Sequence, residues 1–324
     1  MLKACKCLFL LLTISFTAAC DKTDTALSVP QESSLPDFVV EDGDRFIIKH
    51  GKLRMQLAPN IGGRISSLKY GTHELLLLDN QTTGSLWGSV LWSSPQNEWG
   101  WPPLEVLDTQ PYQVSVEDNE LVFTSGTDRK TGYQFVKTFT VVANAEALRI
   151  GYRIYNRSSE VKMVAPWELS RVSPEGVTLF PKGSTSFDSS IFYPIATEVI
   201  DGIVWFHYDP KKLQDDHHKL MTDGLEGWLA HSQRGHLLVK QFNDVPVGQI
   251  AAGEGEIEIF TNPGKGYLEI QQQGVAKSLQ PGEYLQWEVI WHVKKLPEEI
   301  ATDVGSGELV SYIRELVSDF TPRY

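Results

Sequence analysis

Four tryptophans, Trp87, Trp92, Trp99 and Trp101, fall within residues 85–103 of this chain, in the segment SLWGSVLWSSPQNEWGWPP. Ser93, Ser94, Gln96, Asn97 and Glu98 are interleaved with them, and Pro95, Pro102 and Pro103 stiffen the segment. Proline fixes φ and biases the residue before it away from helix, so the stretch is predicted as a loop. An indole offers a flat apolar face and one N–H donor. A saccharide stacks its C–H surface on such a face and needs amide and carboxylate partners for its hydroxyls. The mixture therefore points to a polyhydroxylated ligand held by Trp92, Gln96, Trp99 and Trp101. The competing reading is that the tryptophans plug one end of a core. The polar residues between them weigh against burying the whole segment, because each buried polar group needs a partner.

Other residues have chemical potential of their own. Arg64 follows the paired glycines of Pro59-Asn60-Ile61-Gly62-Gly63 and begins a predicted strand. Its planar fork suits a sugar hydroxyl or a carboxylate, or simply a surface acid. Asp215, Asp216, His217 and His218 are metal-ligand types, but adjacent loop residues rarely converge on one ion without further ligands. No supporting spacing is present, and no metal is predicted. Trp205 and His207 alternate along a strand, where they would either rim a cleft or pack. His73 reads as a turn residue and His292 as a packing residue. The chain carries no phosphate-binding loop, nucleotide fingerprint or Ser/His/Asp signature, and no cofactor is expected.

The elements that must position these groups are almost all strands. Residues 46–49, 52–57, 65–70, 74–78, 112–116, 121–124, 133–142, 148–155, 162–169, 237–242, 257–261, 267–272 and 284–293 are strand-like, with alternation clearest over 137–142. Turn residues separate them. Helix is predicted only over 308–320, where Leu309, Ile313, Leu316 and Val317 share one face. The pattern predicts one all-β domain over 37–324, a large antiparallel sandwich with a short C-terminal helix.

The order of several short motifs resembles the galactose mutarotase-like (aldose epimerase-like) superfamily. They are LAPNIGGRISSLKYGTHELL from Leu57, Gly266-Tyr267-Leu268-Glu269-Ile270-Gln271, Leu279-Gln280-Pro281-Gly282-Glu283, and the strand from Trp287 to Trp291. The tryptophan segment, with Pro166-Trp167-Glu168-Leu169-Ser170, is similar to a branch of secreted bacterial proteins and lipoproteins. The resemblance implies a β-supersandwich with a sugar-sized cleft on one concave face. It also implies that Glu269 is either the base at the anomeric hydroxyl or a ligand contact, with Gln271 on the same strand face. A carboxylate in a partly dry aromatic cleft has its pKa raised toward working pH. The acid of such epimerases is a histidine, and none stands at residues 165–168. Trp167 or Glu168 takes its place, with Glu168 either an acid beside Glu269 or a salt-bridge partner. The outcome is anomeric proton transfer, glycan binding without turnover, or a structural lipoprotein with a vestigial cleft.

The N-terminus carries Lys3 and Lys6, then an apolar run too short to span a bilayer, ending in Thr17-Ala18-Ala19-Cys20. It resembles a lipoprotein signal (1–19) that leaves a lipidated Cys20 and a polar tether over 20–36. The expected location is the bacterial cell envelope, facing the periplasm or the exterior. Cys5 and Cys7 lie within that signal, so the mature domain has no thiol or disulfide. The net charge of -12 becomes more negative once the two lysines are removed. That charge excludes nucleic acid as a partner and leaves the lipid as the only predicted membrane contact.

Overall fold

A computed structural model describes residues 34–81, 84, 86–187 and 191–323. The predicted signal and Cys20 lie outside the described residues. Ser34–Tyr324 form one unit by themselves. This unit is an all-β sandwich, and the alternating segments pair as antiparallel neighbours almost throughout.

Strand pairing resolves into two layers. The first runs Val39–Asp42, Arg45–His50, Leu53–Ala58, Arg64–Tyr70, Ser89–Ser94, Lys162–Val172, Tyr267–Gln273, Ile257–Asn262 and His218–Gly224. The second runs Gln113–Glu117, Glu120–Thr127, Tyr133–Val141, Ala147–Asn156, Tyr284–Lys295, His236–Gln241, Trp228–Gln233, the start of Val177–Phe187, Ile203–His207 and Glu198–Ile200. Val177–Phe187 begins in the second sheet and ends against His218–Gly224 in the first, joining the layers at a register break after Lys182.

The main core lies between the sheets. Met55, Leu57, Ile65, Leu91, Ile259 and Ile270 from the first sheet belong to one buried cluster with Phe123, Phe139, Ile150, Val289, Trp291 and Leu238 from the second. These residues alternate with the outward ones because the side-chain period of a strand is two.

The outer face of the second sheet has its own cover. The helix Gly307–Ser318 is capped by Ser306, whose hydroxyl accepts the Leu309 N–H. It sets Leu309, Val310 and Ile313 on Val177, Leu179, Trp205, Trp228 and Val239. On the outer face of the first sheet the short helix Glu105–Asp108 reaches Arg64 and Trp92 through Asp108. The functional candidates collect there.

Candidate functional site

The segment predicted as a loop is one only in part. Ser89–Ser94 is a fully buried strand, and Gln96–Glu98 is a single 3-10 turn. The reason is local: the prolines begin at Pro95, and Val90-Leu91-Trp92 ahead of them is good strand sequence. Gly88 admits the chain to that strand. Its φ is +64°, and a Cβ there would sit 2.3 Å from the Ile65 carbonyl.

Register then decides who meets whom. Trp92 stands opposite Trp167, and Trp167 opposite Gln273; Val90, Leu169 and Gln271 align in the same way, and Arg171 faces Glu269. Directly opposed residues share a face. The outer face of the first sheet therefore carries Trp92, Trp167, Arg171, Glu269 and Gln271 together.

Their polar atoms form a chain of contacts. Arg171 Nε donates to Glu269 Oε1 at 2.9 Å, Gln271 Nε2 donates to Glu269 Oε2 at 2.8 Å, and Trp167 Nε1 donates to Gln271 Oε1 at 2.9 Å. The Arg171 guanidinium lies 5.8 Å from the Trp92 ring centroid. Trp92 Nε1 donates to Asp108 Oδ1 at 2.8 Å, and Asp108 Oδ2 accepts from Arg64 Nη2 at 3.1 Å. Arg64 also stacks on Trp87, 4.5 Å from its centroid. Burial lowers its pKa to about 10, with Asp108 opposing that shift and Arg171 adding to it. Gly62 makes the Arg64–Asp108 approach possible: its φ is +65°, and a Cβ would fall 1.9 Å from the Asp108 carbonyl oxygen.

The tryptophans divide. Trp87, Trp92 and Trp99 are buried, whereas Trp101 is 66% exposed. Trp99 and Trp167 meet Trp92 edge-on at 5.6 and 5.3 Å, and Trp101 rests on its outer side at 6.2 Å. Gln96 is half-buried, and its backbone N–H donates to Glu254 Oε1 at 2.8 Å. Glu98 binds Tyr133 and Lys162. The plug reading thus describes three of the four indoles and the exposed-platform reading the fourth.

A second row extends the face. Lys219 pairs with Glu258 at 2.8 Å and lies over the rings of Trp167 and Phe192, at 5.4 and 5.6 Å. Burial acts to lower the Lys219 pKa, but Glu258, Glu254 and Glu269 together raise it. Burial, and then Glu258, raise the Glu254 carboxyl to about 7.

Glu168 does not belong to this face. It stands opposite Leu91 and Gln272, between the sheets and fully buried. Lys240 Nζ and Gln272 Nε2 donate to its Oε1 at 2.5 and 2.7 Å, and Tyr152 donates to its Oε2 at 2.5 Å. The expected acid beside Glu269 is therefore corrected. One residue along a strand reverses the side-chain direction, so with Trp167 facing outward Glu168 must face the core. Trp205 and His207 do not rim this face either, since their strand lies in the second sheet. Asp215–His218 disperse into local bonds, His218 to Pro194 and Gln214, and Asp216 to His217. Among the described residues no group of three or more His, Cys, Asp or Glu is placed to hold a metal.

Arg171, Asp108, Lys219, Glu254 and Glu258 join the site without a sequence-based expectation. Arg171 was legible, since counting by two from Trp167 through Leu169 reaches it. Glu258 was legible from alternation with Ile257 and Ile259. Asp108 and Lys219 arrive from distant segments and carry no local signal.

No curated protein sequence matches the chain significantly. Solved structures share its fold. A galactose mutarotase-like protein from Lactobacillus casei aligns with a TM-score of 0.56 at 14% identity, covering 77% of this chain and 100% of its own. A galactose mutarotase related enzyme from Lactobacillus acidophilus aligns at 0.53 and 11%, covering 81% and 99%. A TPR-domain containing protein from Parabacteroides distasonis aligns at 0.58 and 14%, covering 79% of this chain but 48% of its own, so this chain spans about half of it. The fold is that of the galactose mutarotase-like proteins. Over residues 44–294 the sequence matches a family model, and the chain belongs to that family, described as a domain of unknown function (DUF4380).

Proposed function

We propose that this protein binds a saccharide on the outer face of its first sheet and does not turn it over. One observation carries the reading: the Glu269–Arg171 pair is incompletely satisfied. Each Glu269 oxygen accepts one described hydrogen bond, although an ionised carboxylate can take about four. Arg171 Nη1 is buried with no hydrogen-bond partner among the described residues. A hydroxyl can accept from one and donate to the other. Exposed Trp101, resting on Trp92, supplies the stacking surface such a ligand needs. The fold likeness to mutarotase-like proteins agrees with a sugar ligand.

Binding without turnover is preferred because the acid expected beside Glu269 is not there. Anomeric proton transfer requires an acid and a base on one substrate. Glu168 is on the far side of the sheet from Glu269, and no histidine replaces it at residues 165–168. A lipid on Cys20, read from the sequence alone, would hold the domain at a membrane of the cell envelope.

Calorimetry of the full chain against neutral mono- and oligosaccharides tests the reading, followed by polarimetry on every ligand that binds. Binding is expected to weaken about tenfold or more in Trp101→Ala and in Glu269→Gln, with mutarotation unaccelerated by the native chain. Acceleration that disappears in Glu269→Gln would replace this reading by an epimerase. Failure of every saccharide to bind would remove both.

A further inference from the structure

Strand register carries the outer row of the first sheet well past Glu269. Arg171 stands opposite Glu269, Glu269 opposite Phe260, and Phe260 opposite Lys219. Directly opposed residues share a face, so these four side chains lie in line across four strands. Four inter-strand steps separate the strand of Trp92 from the strand of Lys219, about 19 Å at the usual sheet spacing. That is several times the width of one pyranose ring.

The far end of the row is built like the near one. Tyr193 pairs with His218 and is 40% exposed. Phe192, just before it, meets Phe260 edge-on at 5.8 Å, and both rings are half-buried. The Lys219 ammonium lies 5.6 Å from the Phe192 ring and 5.4 Å from the Trp167 ring. Trp167 continues through Trp92 to exposed Trp101. Side-chain contacts therefore run without a break from one exposed aromatic to another. Lys219 spends one of its three N–H donors on Glu258 and makes no hydrogen bond to any other described residue. Both ends thus combine an exposed ring with an ion pair that retains hydrogen-bonding capacity.

We propose that this face takes an oligosaccharide rather than a single sugar, with one ring at Trp101 and the Arg171–Glu269 pair and a later ring against Phe192 and Tyr193. Lys219 donates to a hydroxyl of the later ring. The proposal rests on the saccharide reading above and adds to it the length of the ligand and a second contact region. A single ring at Trp101 and Glta269 reaches neither Phe192 nor Tyr193 across that span. Aromatic faces suit the C–H surface of each ring, and the donors and acceptors between them suit the hydroxyls.

Calorimetry of the full chain against two series tests it: D-glucose, cellobiose and cellotriose, and D-glucose, maltose and maltotriose. In at least one series affinity should rise about tenfold or more from the single ring to the longest chain. Phe192→Ala and Tyr193→Ala should each remove most of that rise while leaving the affinity for D-glucose unchanged. Trp101→Ala should weaken every member of the series. Urea unfolding checks that each variant is folded, and Tyr193→Ala, at an exposed position, carries the test if Phe192→Ala does not fold. Equal affinities along both series overturn the proposal and leave the saccharide reading standing, as does a rise that survives Tyr193→Ala. Absence of binding throughout also overturns it, and the wider saccharide panel then decides the broader reading by itself.

Discussion

Glu168 and Glu269 sit on adjacent strands, yet one structure treats them in opposite ways. Glu168 faces inward, where Lys240, Gln272 and Tyr152 occupy its oxygens and Lys240 also holds Ser170. Glu269 faces outward, with one partner per oxygen and a guanidinium nitrogen beside it still unpaired. The inner carboxylate is a closed network of the kind that specifies packing. The outer one retains hydrogen-bonding capacity at a face rimmed by indoles. Burial alone would not separate them, since both are nearly inaccessible. Counting partners does.

The largest break in this contrast should come from the inner network. Lys240→Met keeps the length of the side chain and removes the ammonium, leaving Glu168 charged and buried. The expected loss is about 3–5 kcal/mol in urea unfolding, because breaking one half of a buried pair strands the other. Adding Glu168→Gln to that variant should recover much of it, since the uncompensated charge is then gone. A single variant as stable as the native chain would mean that Glu168 is already neutral in the fold, and the closed network would lose the charge that sets it apart.

The outer face should reveal itself through pH. Burial and Glu258 raise the Glu254 carboxyl from 4.5 to about 7. The folded chain keeps a proton that the unfolded chain has released between those values. Glu254 therefore stabilises the fold fully below about pH 4.5, and that contribution is lost as pH rises toward 7. Buried His231 and His292, both lowered to about 4, act in the opposite sense: their contribution is lost as pH falls from 6.5 toward 4. The total profile is therefore flattened, and the difference between native and Glu254→Gln isolates the carboxyl. Relative to the variant, the native chain should lose on the order of 3 kcal/mol between pH 4.5 and 8. A pH-independent difference would show Lys219 holding Glu254 ionised throughout.

The sandwich was readable because alternation and turn residues mark most strands, and the C-terminal helix because its apolar residues recur at helical spacing. Ser89–Ser94 was missed because the prolines after it coloured the whole tryptophan segment. Trp228–Gln233 and His218–Gly224 were missed because burial on both faces erases their alternation. The face bearing Arg64, Trp92, Trp167, Glu269 and Gln271 followed from motif order and strand parity. The same parity excludes Glu168 from it, since Trp167 and Glu168 are consecutive on one strand. The Asp108 link between Arg64 and Trp92 had no sequence signal, because it depends on Gly62 allowing backbone to touch backbone 46 residues away (62 to 108).

The smallest effect on stability separates a structural indole from one held ready for a ligand. Trp101 contacts Trp92 at one edge and leaves most of its surface in water. Truncating a side chain that is not packed removes little burial and opens no cavity, so Trp101→Ala should change unfolding free energy by no more than about 0.5 kcal/mol. That near-silence matters because saccharide binding is expected to suffer in the same variant. A side chain so exposed contributes little to the fold it sits on. If Trp101→Ala instead costs more than about 1 kcal/mol, the ring is bracing Trp92 from outside. The outer face would then be as closed as the inner network, and the contrast between Glu168 and Glu269 would lose its functional meaning.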